Sequence, residues 1–452
     1  MRKYSKIAAA VAVALGSGAA LASGPTWTVS LNVAGSSAFR DPFANELSSV
    51  ICQTGTYVAY VATAGTGAGQ LPSPDFRAYT CTVNAISGLP AGTGIIVYYR
   101  SEGGSIFGVA GNQTLAGGSG LAVNSLNIGT SGAVNAGPYT VNETVAQLEA
   151  DTQTGAVQKQ QVQLGISDVE PTAFINGNYG SEYSFVPYPA PSVTKLSSVP
   201  TIPSIIGQVF APIVSKTGGS SAFYNSSGFN NTAGLTSQEI ATIITGNVSD
   251  WGSVPSAVAA GSSGGTITLC RRDQGSGTQV VTSTHFAGQN CSSGGLPYIT
   301  TTNPGVTATV ITNFSTTDVL NCVANNAGAI GFVALQTAAK YTGANATQIT
   351  VDGIIPSAVN SAQGKYTYYA EAYAVKDASL TGSAATLANK IVTDLQNAQN
   401  TPSTTASPSL VAVPGAVNTP FSPVTPFKSG QQIPIAIGST VGNTCTPLVD
   451  QI

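Results

Sequence analysis

The sequence predicts an α/β protein organised around two sheets, and three observations carry that expectation. "TWTVSLNV" alternates Trp27, Val29, Leu31 and Val33 on one face, as a half-buried strand does. It runs through the Gly-Ser turn "AGSSAF" into Phe39, Phe43, Leu47 and Ile51 at helical spacing. The same order recurs far down the chain: Ile267 and Leu269 on a short strand, then "RRDQGSG", then a helix from about Thr278. Finally, charged residues make up 8% of the 452-residue chain and hydrophobic ones 42%, enough apolar material for buried cores and too much for disorder.

In chain order, the N-terminus reads as an export signal over residues 1–22. Arg2, Lys3 and Lys6 form a basic start, Ile7 to Leu15 an apolar run too short to span a bilayer, and Ala20-Leu21-Ala22 a small-residue cleavage site. No cysteine stands at the cleavage point, so no membrane anchor is expected there. The segments Thr54 to Gly94 and Gly111 to Tyr139 are rich in Gly, Ser, Thr and Asn. They read either as surface insertions with short strands of their own or as loops. A helix is expected over Thr140 to Asp151, followed by a strand in "VQLGISDVE". "LTSQEIATIITGNVSDW" carries a capping box, Thr236 with Glu239, and a stop at Gly246. "DVLNCVANNAGAIGFVAL" reads as helix, turn and strand, "TYYAEAYAVKD" as a strand, and "AATLANKIVTDLQNAQ" as an amphipathic helix. The Pro-rich tail from Pro414 is expected to wrap the surface, tethered through Cys445.

Composition narrows the function classes. A net charge of −3 gives no drive toward nucleic acid or an anionic membrane. Six cysteines in an exported chain read as three disulfides, with fifteen connectivities open. The expected pairs are Cys52–Cys81 closing the first insertion, Cys270–Cys291 bracing the helix after the arginine loop, and Cys322–Cys445. Without a CxxC spacing, and with His285 the single histidine, no metal or cofactor is expected. His285 and Trp251 read as packing residues.

Gly-Ser turns between a strand and a helix aim backbone N–H groups at a helix N-terminus, where the dipole favours anions. "GSGT" at Gly275 to Thr278 adds two hydroxyls, and Arg272 supplies a planar fork for two oxygens of one tetrahedral oxyanion. "GSSAF" and "RSEGGS", Arg100 to Ser105, are further turns of this kind. One such turn is weak evidence, and three with an arginine are a better signal.

In the order "AGSSAF", "RSEGGS", "LGISD", "RRDQGSGT", "NAGAIGFV", the chain resembles the phosphate-binding proteins of ABC importers, of the type II periplasmic binding protein family. "IITGNVSDW" is similar to that family's Gly-x-Ile-x-x-Trp helix end, and "PSIIGQVFAPIVS" and "YYAEAYAV" to its two inter-lobe crossing strands. The resemblance implies a two-lobed fold with Gly/Ser/Thr-rich insertions in the first lobe. Residues 24–205 with 371–452 would form that lobe, and residues 206–370 the other. It implies a site of Ser37, Ala38, Phe39, Ser101, Asp168, Arg272, Ser276, Gly277 and Thr278. There Ser101 donates a hydroxyl, Asp168 accepts the proton of monohydrogen phosphate, and Arg272 is the charged clamp. Ser276, Gly277 and Thr278 add hydroxyl and backbone donors, and Ala38 and Phe39 backbone N–H groups. It further implies a non-enzymatic, monomeric protein of the periplasm or cell exterior, binding inorganic phosphate or a similar oxyanion and serving an ABC permease. A surface or matrix protein reusing the fold and a secreted phosphatase are the competing readings. Three positions depart from the family pattern: Ala38 for a hydroxyl residue, Glu102 for a serine, and Gln274 for an aspartate, with Asp273 adjacent. Glu102 is expected to turn toward Arg100 or Arg271.

Overall fold

Alternation and helical spacing produce the elements they predict at the start of the chain. Strand β1 (Val29–Gly35) buries Val29, Leu31 and Val33, and helix α1 (Arg40–Glu46) runs on into a wider helical turn over Leu47–Ile51. Phe39, Phe43, Leu47 and Ile51 all point into the core. The computed structural model describes residues 27–63, 76–86, 88–101, 122–126, 139–144, 157–174, 201–202, 205–225, 228–229, 233–288, 308–313, 315–335, 345–396, 410–411, 438–439 and 449–450.

Strands β2 (Val58–Thr63), β3 (Phe76–Thr82), β4 (Gly94–Arg100), β5 (Ala122–Leu126), β6 (Tyr139–Thr144), β7 (Val157–Gln161), β8 (Leu164–Ser167) and β9 (Thr201–Ile202) follow. Next come the long β10 (Gly207–Ser215), the short β11 (Tyr224–Asn225), β12 (Gly228–Phe229) and β13 (Gly234–Leu235), and helices α2 (Ser237–Ile244) and α3 (Pro255–Ala259). Strand β14 (Thr268–Arg272) leads to α4 (Gly277–Ala287), and β15 (Thr309–Asn313) to α5 (Thr316–Asn325). Then come β16 (Ala329–Ala334), β17 (Ala346–Gln348), β18 (Thr350–Val351) and α6 (Ala358–Ala362). The return is made by β19 (Tyr369–Glu371), β20 (Tyr373–Lys376), α7 (Gly382–Gln396) and β21 (Leu410–Val411).

Two large sheets result. The first has the order β6-β2-β3-β4-β1-β8-β20-β9, and the second β15-β14-β16-β10-β17 with β19 and β21 also on β10. Each has its own core. Leu387, Ile391 and Leu395 of α7 join α1 over the first sheet, while Trp251, Val280, Val319 and Phe332 belong to the second. The chain crosses between them where Ile205 donates to Ala372 O and Ala372 to Ile206 O, and where Gly207–Val209 pair with Tyr369–Glu371. This is the α/β, two-lobed architecture expected. The expected capping box forms, Thr236 with Glu239, and a second one, Ser315 with Asp318, starts α5.

Three expectations need correction, and one open choice is resolved. Residues Tyr139–Thr144 are a strand, not the start of a helix: Thr140, Val141 and Thr144 are β-branched, and β6 pairs parallel with β2. Of the two readings of the first Gly/Ser/Thr-rich segment, strands rather than loops are found among its described residues, β2 and β3 joining the first sheet. Arg271 and Arg272 end β14 rather than lying in the loop after it. The disulfide from Cys270 goes to Cys322, not to Cys291, while Cys52–Cys81 forms as expected. Cys322 is therefore not available to Cys445. Helix α5 lies so close to the sheet that a Cβ on Gly331 would stand 2.6 Å from Val319 Cγ1 and 3.0 Å from Cys270 O. Packing thus brings Cys322 onto β14. Cys291, Cys445 and most of the tail lie outside the described residues, as does Glu102.

Candidate functional site

Parallel strands place their C-terminal ends along one edge of a sheet, where α/β folds gather polar side chains. In the first sheet β1 runs parallel to both β4 and β8, with Ala34 opposite Arg100 and Gly35 opposite Ile166. Ser36 and Ser37 after β1, Ser101 after β4, and Asp168 after β8 therefore share one edge, and all four are buried. The approach of β1 to β8 requires glycine. Gly35 has φ +139°, and a Cβ there would lie 1.9 Å from Ile166 O.

The polar groups of this edge are locked to one another. Ser36 Oγ donates to Asp168 Oδ1 and accepts from Phe39 N–H at 3.0 Å. Tyr99 Oη donates to Ser36 O at 2.8 Å, and burial, with Tyr79 and Asp168 nearby, pushes the Tyr99 phenol well above its ordinary range. The turn after β8 is closed by Ser167, whose Oγ donates to Val169 O at 2.6 Å. Asp168 itself faces Ser36 of the first turn.

The second sheet repeats the arrangement. Parallel β14 and β15 are in register from Thr268–Thr309 to Arg272–Asn313, and each feeds a helix N-terminus, α4 and α5. Arg272 ends β14, with Asp273 Oδ1 3.8 Å from its Nη2, both side chains buried. Asp273, the neighbour of Gln274, thus stands beside the Arg272 guanidinium. Ser276 is the N-cap of α4 but makes no side-chain capping bond. Its Oγ and Thr278 Oγ1 are buried and make no hydrogen bond among the described residues.

The two edges meet at the Ser36–Ser37 dipeptide. While Ser36 holds Asp168, Ser37 Oγ accepts from Arg272 Nη1 at 3.0 Å. The carboxylate of one sheet and the guanidinium of the other are gathered on adjacent serines. Thr316, at the start of α5, accepts from the same Nη1 at 3.2 Å. Thr316 was not among the expected residues, nor were Tyr99 and the locking role of Ser36. Only Thr316 carries a sequence signal, the Ser-x-x-Asp box of "STTD" before an apolar run. Ala38 is buried against the second core, and the Phe39 N–H is engaged within its own turn.

His285 and Trp251 are packing residues. The His285 ring lies 4.6 Å from Phe286 and 5.3 Å from Tyr368, and burial pulls its pKa down to about 4. Trp251 donates to Gly328 O at 2.8 Å against Phe223. No group of His, Cys, Asp or Glu suited to a metal occurs among the described residues, and none of their helices is long and apolar enough to cross a membrane.

Residues 210–397 match the PBP superfamily domain. Among solved structures, the chain is similar to a phosphate binding protein from Stenotrophomonas maltophilia, at 13% identity and TM-score 0.38, covering 77% of this chain and 79% of that one. It is similar to an ABC-type phosphate transport receptor from Vibrio cholerae, at 15% identity and TM-score 0.31, covering 56% and 82%. A third is PstS from Borrelia burgdorferi, at 12% identity and TM-score 0.30, covering 57% and 83%. No curated protein matches the chain.

Proposed function

We propose that this protein, whose residues 210–397 match the PBP superfamily domain, is an exported solute-binding protein holding monohydrogen phosphate or a close oxyanion between its lobes. The observation that carries the reading is the pair of buried hydroxyls, Ser276 Oγ and Thr278 Oγ1, at the N-terminus of α4 beside Arg272, which have no hydrogen-bond partner among the described residues. A buried hydroxyl without a partner costs about 1–3 kcal/mol, a cost that a ligand oxygen offsets. The start of a helix and a guanidinium select an anion for that role.

Asp168 supports a ligand that still carries a proton. An ionised carboxylate only accepts hydrogen bonds, so it welcomes monohydrogen phosphate and disfavours fully ionised sulfate. In this reading Ser37, Ser101, Ser276 and Thr278 are hydroxyl donors and Gly277 a backbone donor, with Ala38 and Phe39 lining the first turn. Residues 24–205 with 371–452 form one lobe and 206–370 the other. The protein acts as a monomer in the periplasm or outside the cell, delivers its ligand to an ABC permease, and catalyses nothing.

Calorimetric titration tests the reading. Phosphate and arsenate are expected to bind and sulfate not to. Arg272→Ala is expected to weaken phosphate binding by roughly 2–4 kcal/mol, the loss when a desolvated charge-assisted pair loses its cation. Equal binding of sulfate, or an unchanged affinity in Arg272→Ala, defeats the proposal. A chromogenic phosphate ester that turns over would favour a phosphatase instead.

A further inference from the structure

Ser37 and Thr316 come from opposite sheets and meet on one guanidinium. Arg272 Nη1 donates to Ser37 Oγ at 3.0 Å and to Thr316 Oγ1 at 3.2 Å, and the two hydroxyls stand 3.0 Å apart. All three side chains are buried, so water screens the arrangement little. We infer that this triangle is an inter-lobe latch, which holds the cleft closed and sets how slowly a bound oxyanion leaves. The second half of that statement rests on the proposed oxyanion reading; the first does not.

The hydrogen-bond count favours a latch that works with a ligand rather than against it. Each hydroxyl has one proton and accepts one N–H from Arg272. The contact between them uses one of the two protons. The other has no acceptor among the described residues and is suited to an oxygen of an anion beside Arg272. Occupancy of the site therefore completes the triangle.

Ala38 gives the latch its apolar half. It follows Ser37 directly, yet it packs with Val169 and Phe174 of the first lobe into the core that contains Leu269, Val280 and Val319 of the second. Separating the lobes breaks the Ser37 bond to the buried cation and the Ser37–Thr316 contact, and also withdraws Ala38 from that core. A hydroxyl residue at position 38 would bring a polar group into the same contact. The departure from the family pattern at Ala38 thus acquires a purpose: affinity is moved from a ligand contact to lobe closure.

The test uses the full-length protein, inorganic phosphate, and the variants Thr316→Val, Ser37→Ala and Thr316→Ser. Small-angle scattering of the phosphate-free protein is expected to fit the closed arrangement, and Thr316→Val and Ser37→Ala to raise the radius of gyration. Stopped-flow release of phosphate is expected to speed up about fivefold in Thr316→Val with the association rate little changed, the worth of one hydrogen bond lost between the lobes. Thr316→Ser restores both readouts, which loss of packing alone would not allow. Should Thr316→Val fail to fold, Ser37→Ala makes the same test from the other lobe. A phosphate-free wild type already open, or scattering unchanged in both hydroxyl-deleting variants, overturns the latch whether or not phosphate binds. If the variants open while wild type binds no phosphate, the latch stands and the phosphate reading falls.

Discussion

In "AGSSAF" the hydroxyls are engaged inside the protein: Ser36 binds Asp168 and Phe39 N–H, and Ser37 meets Arg272 and Thr316. In "RRDQGSGT", the other strand–turn–helix unit, Ser276 and Thr278 are as deeply buried and have no hydrogen-bond partner among the described residues. The two turns have nearly the same local composition, and both lie at the C-terminal end of a parallel strand. They differ in what the fold brings to them. The first receives a carboxylate from β8 and a phenol from β4, and so becomes a rigid wall. The second leaves its hydroxyls without a hydrogen-bond partner among the described residues, which is what the proposed oxyanion site asks of it. A Gly-Ser turn before a helix is thus only the frame of an anion site, and the neighbouring strand ends decide whether it is filled from within.

The largest expected effect breaks the rigid wall itself. Gly35→Ala places a Cβ 1.9 Å from Ile166 O at a φ of +139°. The variant is expected to lose roughly 3–5 kcal/mol of folding stability in chemical denaturation. A loss below about 1 kcal/mol would mean that β1 and β8 can separate cheaply.

Next in size is a paired comparison across the two turns. Ser36→Ala removes a bond to a buried carboxylate and one to a backbone N–H, so about 2 kcal/mol of stability should vanish. Ser276→Ala removes a buried hydroxyl that contributes nothing internally. Its stability is expected to stay within about 0.5 kcal/mol of wild type or to rise, while phosphate binding weakens several-fold. The contrast between the turns collapses if both variants lose stability equally.

The last effect is a pH dependence confined to the first lobe. Burial, and then Asp394 of α7, push the Glu46 carboxyl from 4.5 to about 9, with Lys390 pulling the other way. Because the folded value is the higher, the protonated group favours folding. Its contribution is full below 4.5, declines as the pH rises, and is lost above about 9. Glu46→Gln is expected to flatten that decline in thermal melts collected across the range. Parallel curves for wild type and variant would show that Glu46 is ionised in the folded protein.

What the sequence by itself determined is what a few consecutive residues can enforce. The alternation in "TWTVSLNV", the helical spacing from Phe39 to Ile51 and the Thr236–Glu239 capping box all act over one or two turns of chain, and each forms as read. Arg272 stood out because cations are scarce here, and its place beside a Gly-Ser turn was legible for the same reason. The pairings were not legible. Cys270 chose Cys322, 52 residues away, over a nearer cysteine, because α5 packs on β14. Tyr139–Thr144 became a strand because β2 offers it an edge. Ser36 reaches Asp168 across 132 residues and Ser37 reaches Thr316 across 279. No spacing rule encodes such distances. They are set when two sheets bury their faces, and only then do hydroxyls of ordinary turns acquire either a partner or the need for one.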